Sequence, residues 1–549
     1  MNKAVKSLPN GDSKLVMAHM YVAFTALLVG ATMGLIQTLE RSGTITLPAG
    51  ISYYQILTVH GVVLGLVLTT FFILGFMLAS QSKTTGGYSK GERSFAWLGF
   101  WIMLIGTLSA ATMILLNEAT VLYTFYAPLQ AHVIFYIGLA MVIVGSWFIG
   151  WVMFKRHARF RKENPGKPTP LLSFMGVITM LMWQIASLGV AFTVIFQMIP
   201  WALGWVETVN VLLSRTLFWY FGHPLVYFWL LPAYMMWYAI MPKIIGGKIF
   251  SDSLARFTFI LLLIFSIPIG FHHQLTEPGI DPFWKFIQVI LTMVVVIPSM
   301  MTAFSMFATF EARGRELGAK GLFGWVKKMP WKDARFLAPF IGMLFFIPGG
   351  AGGIINASNQ MNQVVHNTIW VTGHFHLTAA TTTMLTFFGI AYWLIPSVTG
   401  RKFTKSMNKL GILQTVLWSV GMLIMSTAMH WQGLLGGPRR SAYSEYAGNA
   451  DTAAWGPYQM AQAIGGSILF LGMIVMIIIV VYLAFFAPKG EEEFPVAEPS
   501  EKAEKPSKVF ENWPLWIGIT CALILFAYTI PLIDIIQSAP PGAKGFKLW

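Results

Sequence analysis

Long apolar stretches separated by short polar turns run through this chain from end to end. Thirteen of them are long enough to cross a bilayer as a helix, which takes about 20 mainly apolar residues. They lie near 15–38, 53–80, 94–116, 129–154, 171–199, 207–241, 254–273, 283–311, 334–354, 364–396, 408–432, 457–487 and 511–536. The pattern predicts an all-α integral membrane protein of about 13 transmembrane helices, folded as a single polytopic membrane domain over residues 1–549. Gly, Ala and Ser recur inside the stretches and suit close helix contacts.

Composition agrees: 56% of the residues are hydrophobic and 11% charged, where a soluble protein carries about a quarter charged. The formal net charge of +15 raises the question of nucleic acid, but its distribution answers it. The N-terminal segment and alternate connections hold 30 of the 37 Lys and Arg, including clusters at Lys155–Lys167 and Arg313–Arg335. By the positive-inside rule the N-terminus is cytoplasmic and the C-terminus outside, so the charge is topological and no nucleic acid is expected. Residues 488–510, rich in Glu, Lys and Pro, read as a flexible cytoplasmic linker. The polar start runs directly into a full-length span without a cleavage site, so no signal peptide is expected. The one cysteine, Cys521, excludes disulfides, Cys-based zinc or iron–sulfur sites and a two-cysteine copper centre within the chain.

Candidate chemistry rests on histidine. Thr372-Gly373-His374-Phe375-His376 sits inside one apolar stretch, and an α-helix turns about 100° per residue, so His374 and His376 point roughly 200° apart. They can serve two sites on opposite faces of one helix. His60, His223, His272 and His273 lie in or beside other predicted spans, and His366 lies near the start of the same stretch as His374. At about 1.5 Å per residue, His60 falls roughly 10 Å and His374 roughly 15 Å below the outer surface. His272 and His273 come at the outer end of their span, and His223 near the midplane. His19, His132 and His157 lie near span ends or in a basic loop and read as interfacial or solvated; His430 is given no role. A single buried histidine often only bonds a neighbouring helix, but ionisable groups inside a membrane usually mark a functional pathway, and six at matching depth point to metal. Imidazole ligates haem iron and copper. His60 and His376 could clamp a six-coordinate haem suited to electron transfer, His374 could hold a five-coordinate haem with an open position, and His223, His272 and His273 could bind a copper ion. Gly61, Gly222 and Gly373 beside these residues suit close approach of a macrocycle.

The motifs His60-Gly61, Trp219-Tyr220-Phe221-Gly222-His223-Pro224-Leu225-Val226-Tyr227, Phe271-His272-His273 and Gly373-His374-Phe375-His376 resemble those of haem–copper terminal oxidase subunit I. Their order and spacing over essentially the whole chain place the resemblance closest to the B-type (ba3-like) cytochrome c oxidases. It implies a catalytic-subunit fold that reduces dioxygen to water coupled to proton pumping, in the cytoplasmic membrane of a prokaryote. It further implies that His60 and His376 ligate a low-spin haem b, that His374 ligates a high-spin haem of a or o type, and that His223, His272 and His273 bind the copper called CuB. In the family, the tyrosine at the position of Tyr227 is joined covalently to the copper-ligating histidine and supplies an electron and a proton. Trp219 packs beside the copper. A second subunit carrying a dinuclear copper site, further small subunits and cytochrome c (or quinol) as donor are the implied partners.

A-type relatives place a glutamate after the proline of the second motif; Leu225 stands here, so that proton route is not expected. Tyr234 and Tyr238 continue from Tyr227 at spacings of seven and four, with Ser299 and Thr302 at similar depth. Hydroxyls and the waters they order can carry protons, and these residues resemble the K-type pathway of the B-type branch. Arg439 and Arg440 suit paired haem propionates, and His366, drawn as part of the His374 helix, suits a proton on its way out. Relatives carry an acid four residues before it, where this chain has Asn362. Two alternatives stand beside this reading. A nitric oxide reductase uses non-haem iron and nearby glutamates, and a transporter with histidine relays is colourless.

Overall fold

The computed structural model describes residues 7–500, 506–538 and 540–548. Thirteen helices of fourteen or more described residues follow in chain order: α1 Asn10–Arg41, α2 Tyr53–Thr85, α3 Lys90–Leu115, α4 Val133–Glu163, α5 Leu171–Ala202, α6 Val211–Ile244, α7 Asp252–Phe265, α8 Pro282–Glu316, α9 Ala334–Ala357, α10 Ile369–Thr399, α11 Lys405–Leu434, α12 Thr452–Phe486 and α13 Trp513–Gln537. Twelve of these described helices are long and apolar enough to span a membrane. The exception is α7, whose 14 residues rise only about 21 Å. Pro268 explains the shortening, since it lacks an N–H and disfavours helix in the residue before it. The chain leaves the helix at Ser266 and closes instead into a 3-10 turn, Gly270–Gln274.

Small residues set the helix spacing, as in membrane bundles generally. A Cβ added to Gly106 of α3 would sit 2.5 Å from the Gly138 carbonyl of α4, and the reverse holds equally. The interior is densely aromatic: Trp183, Trp229, Trp237 and Trp393 are almost fully buried. Four helices contain a π-helical segment, Val63–Leu68 in α2, Thr193–Met198 in α5, Thr378–Thr383 in α10 and Tyr482–Phe486 in α12. Such turns often mark functional sites, and two of them begin within three residues of His60 and His376.

Several expectations change here. Residues 488–500 are not a loose linker. Phe494 and Ala497 are buried, with Phe494 against Trp393 at 4.7 Å, and Glu492 accepts from Arg335 at 3.1 Å and from the Phe403 amide at 3.0 Å. Two apolar side chains and one satisfied carboxylate are enough to lay the segment down; 501–505 lie outside the described residues. His19 is fully buried between Phe71 and Phe100, and His157 is buried edge-on to Trp513. Both were expected at the surface, and tertiary packing covers them. His132 is the N-cap of α4, accepting from the Ile134 amide at 3.3 Å. The C-terminal residues Ala543–Lys544 pair antiparallel with Thr208–Val209, just before α6.

Candidate metal centre

The turn Gly373–His376 lies in the first half of α10, whose start is fixed by the Thr368 hydroxyl accepting from the Trp370 amide at 3.3 Å. His376 faces His60 of α2, with ring centroids 6.4 Å apart and planes within 8° of parallel. His376 Nδ1 donates to the Thr372 carbonyl at 2.8 Å and His60 Nδ1 to the Gly30 carbonyl at 2.9 Å. A carbonyl only accepts, so each ring carries its proton on Nδ1 and keeps the Nε2 lone pair for a metal. Two imidazoles each bound through one nitrogen at about 2 Å place their centroids roughly 6 Å apart. The pair therefore fits two axial ligands of one iron. A Cβ on Gly34 would strike the His60 ring at 2.8 Å, so the first helix closes tightly behind this ligand.

His374 lies on the other side of the same turn. Its Nδ1 is buried near the Gly349 carbonyl without a well-aligned hydrogen bond. Gly352 of α9 lies so close that a Cβ would sit 2.7 Å from that nitrogen. The glycines that meet these ligands are thus Gly34 and Gly352. Those expected to do so face protein instead: the Cβ space of Gly61 is taken by Tyr123, that of Gly222 by Trp219 and Phe218, and that of Gly373 by His430 and Met429.

His223, His272 and His273 form the third set, with one ring nitrogen from each within 4.8 Å of the others. His223 comes from the middle of α6; the other two come from the 3-10 turn that follows α7. This turn needs Gly270, because a Cβ there would meet the Tyr528 hydroxyl at 2.5 Å and the Trp219 carbonyl at 2.7 Å. His272 Nδ1 donates to the Ile269 carbonyl at 2.6 Å, with Thr292 Oγ1 at 3.2 Å, which leaves Nε2 for a metal. His223 Nδ1 faces His273 Nε2 at 3.0 Å. Two ligands on one ion, each about 2 Å from it, sit roughly 3 Å apart, and the donor set suits copper. Trp219 stacks on His273 at 3.8 Å and 6°, as expected for a packing partner. His223 Nε2 is buried without a protein partner, and the Tyr227 ring lies 5.1 Å from the His223 ring. Among the described residues no carboxylate joins this cluster.

Toward the other end of α6, Tyr234 and Tyr238 are buried. The Tyr238 hydroxyl donates to Thr302 Oγ1 at 3.1 Å and lies 3.4 Å from Thr258 Oγ1. The Tyr234 hydroxyl faces Ser299 and Thr302 but makes no direct hydrogen bond, leaving a gap of the kind a water bridges. Thr258 and Ser305 also reach Tyr238 and were not anticipated. Ser305 was findable as the residue one turn after Thr302, while Thr258 carried no sequence signal.

Above the histidines, Arg439 donates to Asn367 Oδ1 at 3.2 Å, and Arg440 lies over the Tyr126 ring at 5.0 Å. Arg439 Nε and an Arg440 Nη2 are buried without partners, and neither guanidinium pairs with a carboxylate in the described residues. Burial and the adjacent Arg440 pull Arg439 down to about 10. Both features fit a site for an anionic group. His366 is not on the His374 helix as drawn from sequence. A short helix, Asn359–Val365, ends there, Asn367 takes a left-handed φ of 57°, and Thr368 caps a new helix. His366 Nδ1 pairs with Asn362 Oδ1 at 3.1 Å, and Asn362 Nδ2 donates to the Asn356 carbonyl at 2.7 Å. Burial, then Arg439, Arg215, Arg440 and Lys285, lower His366 to about 4.

The histidine sets on the two faces of α10 fit a membrane-embedded haem–copper site. The family model for cytochrome c and quinol oxidase polypeptide I matches residues 14–468. Cytochrome c oxidase subunit 1 of Thermus thermophilus is 40% identical over 98% of this chain and 97% of that protein. Quinol oxidase subunit 1 of Sulfolobus acidocaldarius is 24% identical over 71% of this chain and 74% of its own length. A cryo-EM structure of a heme-copper terminal oxidase dimer superposes with a TM-score of 0.93 at 35% identity, covering 98% of this chain and 96% of that one. The chain belongs to the haem–copper oxidase subunit I family, and is a multi-pass membrane oxidoreductase whose family implies haems and CuB.

Proposed function

We propose that this chain is the catalytic subunit of a prokaryotic terminal oxidase that reduces dioxygen to water and moves protons across the cytoplasmic membrane. The observation that carries the reading is the division of six histidines into a parallel pair, a single ring and a triad around one short turn. When bound, a low-spin haem b, a high-spin haem of a or o type and CuB supply the electron relay and the two-metal site for dioxygen. His60 and His376 would hold the first haem, each locked in one tautomer by a backbone carbonyl. His374 would hold the second, and His223 Nδ1 with His272 and His273 Nε2 would hold the copper. Tyr227 places its phenol beside the triad as a donor of a hydrogen atom, and linkage to His223 Nε2 suits that nitrogen's lack of a partner. Protons would arrive through Tyr238, Thr302, Ser299 and Tyr234, with Thr258 and Ser305 at the far end. Arg439 and Arg440 would pair with haem propionates, and His366 would pass protons outward with Asn362 as its neutral partner. Dioxygen is apolar, and an apolar cavity of about 330 Å³ reaches Phe218 and Phe221 beside Trp219.

The chain is read as a single polytopic domain with the N-terminus and residues 488–510 cytoplasmic and the C-terminus outside, α7 and the turn that follows it together making the thirteenth crossing. Its donor is cytochrome c acting through a second subunit with a dinuclear copper site; quinol is the second reading, supported by the likeness to a quinol oxidase subunit. Oxygen uptake by the purified complex with reduced cytochrome c, compared with quinol, decides the donor. Metal analysis and a reduced-minus-oxidised spectrum test the site: haem bands with copper present are expected. Iron without copper supports a nitric oxide reductase, and absence of haem bands supports a transporter; either overturns the oxidase reading.

A further inference from the structure

His430 on α11 has no place in the pathways above, yet the structure sets it against the turn that carries both His374 and His376. Its Nδ1 donates to the Ser426 carbonyl at 2.7 Å, which fixes the ring as the Nδ1–H tautomer. The ring stands edge-on to Trp370, with centroids 4.9 Å apart and planes at 84°. Its Nδ1 and Cε1 lie 2.7 and 2.9 Å from where a Cβ on Gly373 would be. The Ser426 hydroxyl donates to the Gly373 carbonyl at 2.8 Å. One residue is thus gripped twice by the neighbouring helix, by a hydrogen bond on its carbonyl and by a ring against its Cα. Gly373 stands next to His374, and the peptide before it supplies the Thr372 carbonyl that orients His376. A shift of residue 373 therefore turns both ligands together.

We propose that His430 and Ser426 form a clamp on Gly373 that sets how the ligand rings on α10 stand, and so the angle of the His376 ring to the His60 ring across from it. His430 touches neither an iron nor a substrate in this arrangement, so it is a positioning residue. The inference rests on the haem assignment above. Its test is the electron paramagnetic resonance of the ferric low-spin haem in the purified complex, because the anisotropy of that signal follows the angle between the two axial imidazole planes, 8° in this structure. His430→Ala is expected to keep its haem iron but shift the low-spin signal, and Ser426→Ala to shift it the same way by less. Gly373→Ala should perturb the signal most. Adding His430→Ala to that variant should move the signal back toward wild type, because the ring that the new methyl strikes is gone; coupling of this sign is what a direct contact produces. An unshifted signal in both His430→Ala and Ser426→Ala, or strictly additive effects in the double variant, overturns the clamp. A wild-type complex with no low-spin signal at all overturns the haem assignment, and the clamp with it.

Discussion

The two faces of α10 are built in opposite ways. On one face, His60 and His376 come from two long helices, and each ring is anchored by its own backbone hydrogen bond, 2.9 and 2.8 Å long. On the other, two of the three clustered histidines come from a 3-10 turn left over where α7 breaks, and His223 Nδ1 and His273 Nε2 meet at 3.0 Å. The first arrangement ties one nitrogen of each ring to the protein and turns the other toward the space between the rings, as a metal held by both would need. The second leaves His223 Nε2 without a protein partner and Tyr227 beside it. Continuous helices hold the pair, each passing into a π-helical segment just after its histidine, whereas the triad needs the break after α7 to bring its side chains together.

That contrast can be attacked directly. The largest effect comes from removing a ligand: His376→Ala should abolish the low-spin haem spectrum, whereas His374→Ala should abolish carbon monoxide binding while the low-spin bands persist. Identical spectral losses in the two variants would break the two-face division. Tyr227→Phe should retain haem and copper but lose turnover by roughly 10²-fold or more, the scale of a positioned proton donor; near-normal oxygen uptake would remove Tyr227 from the chemistry. Gly270→Ala places a methyl 2.5 Å from the Tyr528 hydroxyl, an overpacking that costs about 1–3 kcal/mol. Copper content should fall while the low-spin spectrum stays, since only the turn side is disturbed. The smallest effect concerns the C-terminal segment. It pairs with the strand before α6 and, through Lys547, with Glu118 in the loop that follows α3. Lys547 holds the Glu118 carboxyl below the usual glutamate range. Its contribution is complete above that range, about pH 4.3, and fades as pH falls through the lowered value. Protease release of the last residues should therefore rise only in acid, and Glu118→Gln should remove that acid step.

Much of this was legible because membranes simplify the code. Apolar stretches of spanning length predicted thirteen helices, twelve of which are long enough to span while α7 stops short, and the His374-Phe375-His376 spacing put the two rings on opposite faces of one helix. Less legible was what depended on contacts between distant segments. Gly61, Gly222 and Gly373 looked like space for a macrocycle, but Tyr123, Trp219 and His430 fill it. His19 and His157 looked peripheral, and neighbouring helices bury them. Residues 488–500 looked like linker by composition, since a single Phe494 in a pocket carries no periodic signal.

The sequence by itself determined that this is a bundle of membrane helices, which histidines could meet a metal, and on which faces of α10 they stand. Those are consequences of local periodicity and of the high cost of placing ionisable groups in lipid without a purpose. Only the tertiary structure decided which nitrogen of each ring is free, since that depends on carbonyls of Gly30, Thr372 and Ile269 reaching Nδ1. It alone also decided how the turn after α7 is held, because Tyr528, more than 250 residues away in sequence, packs against Gly270.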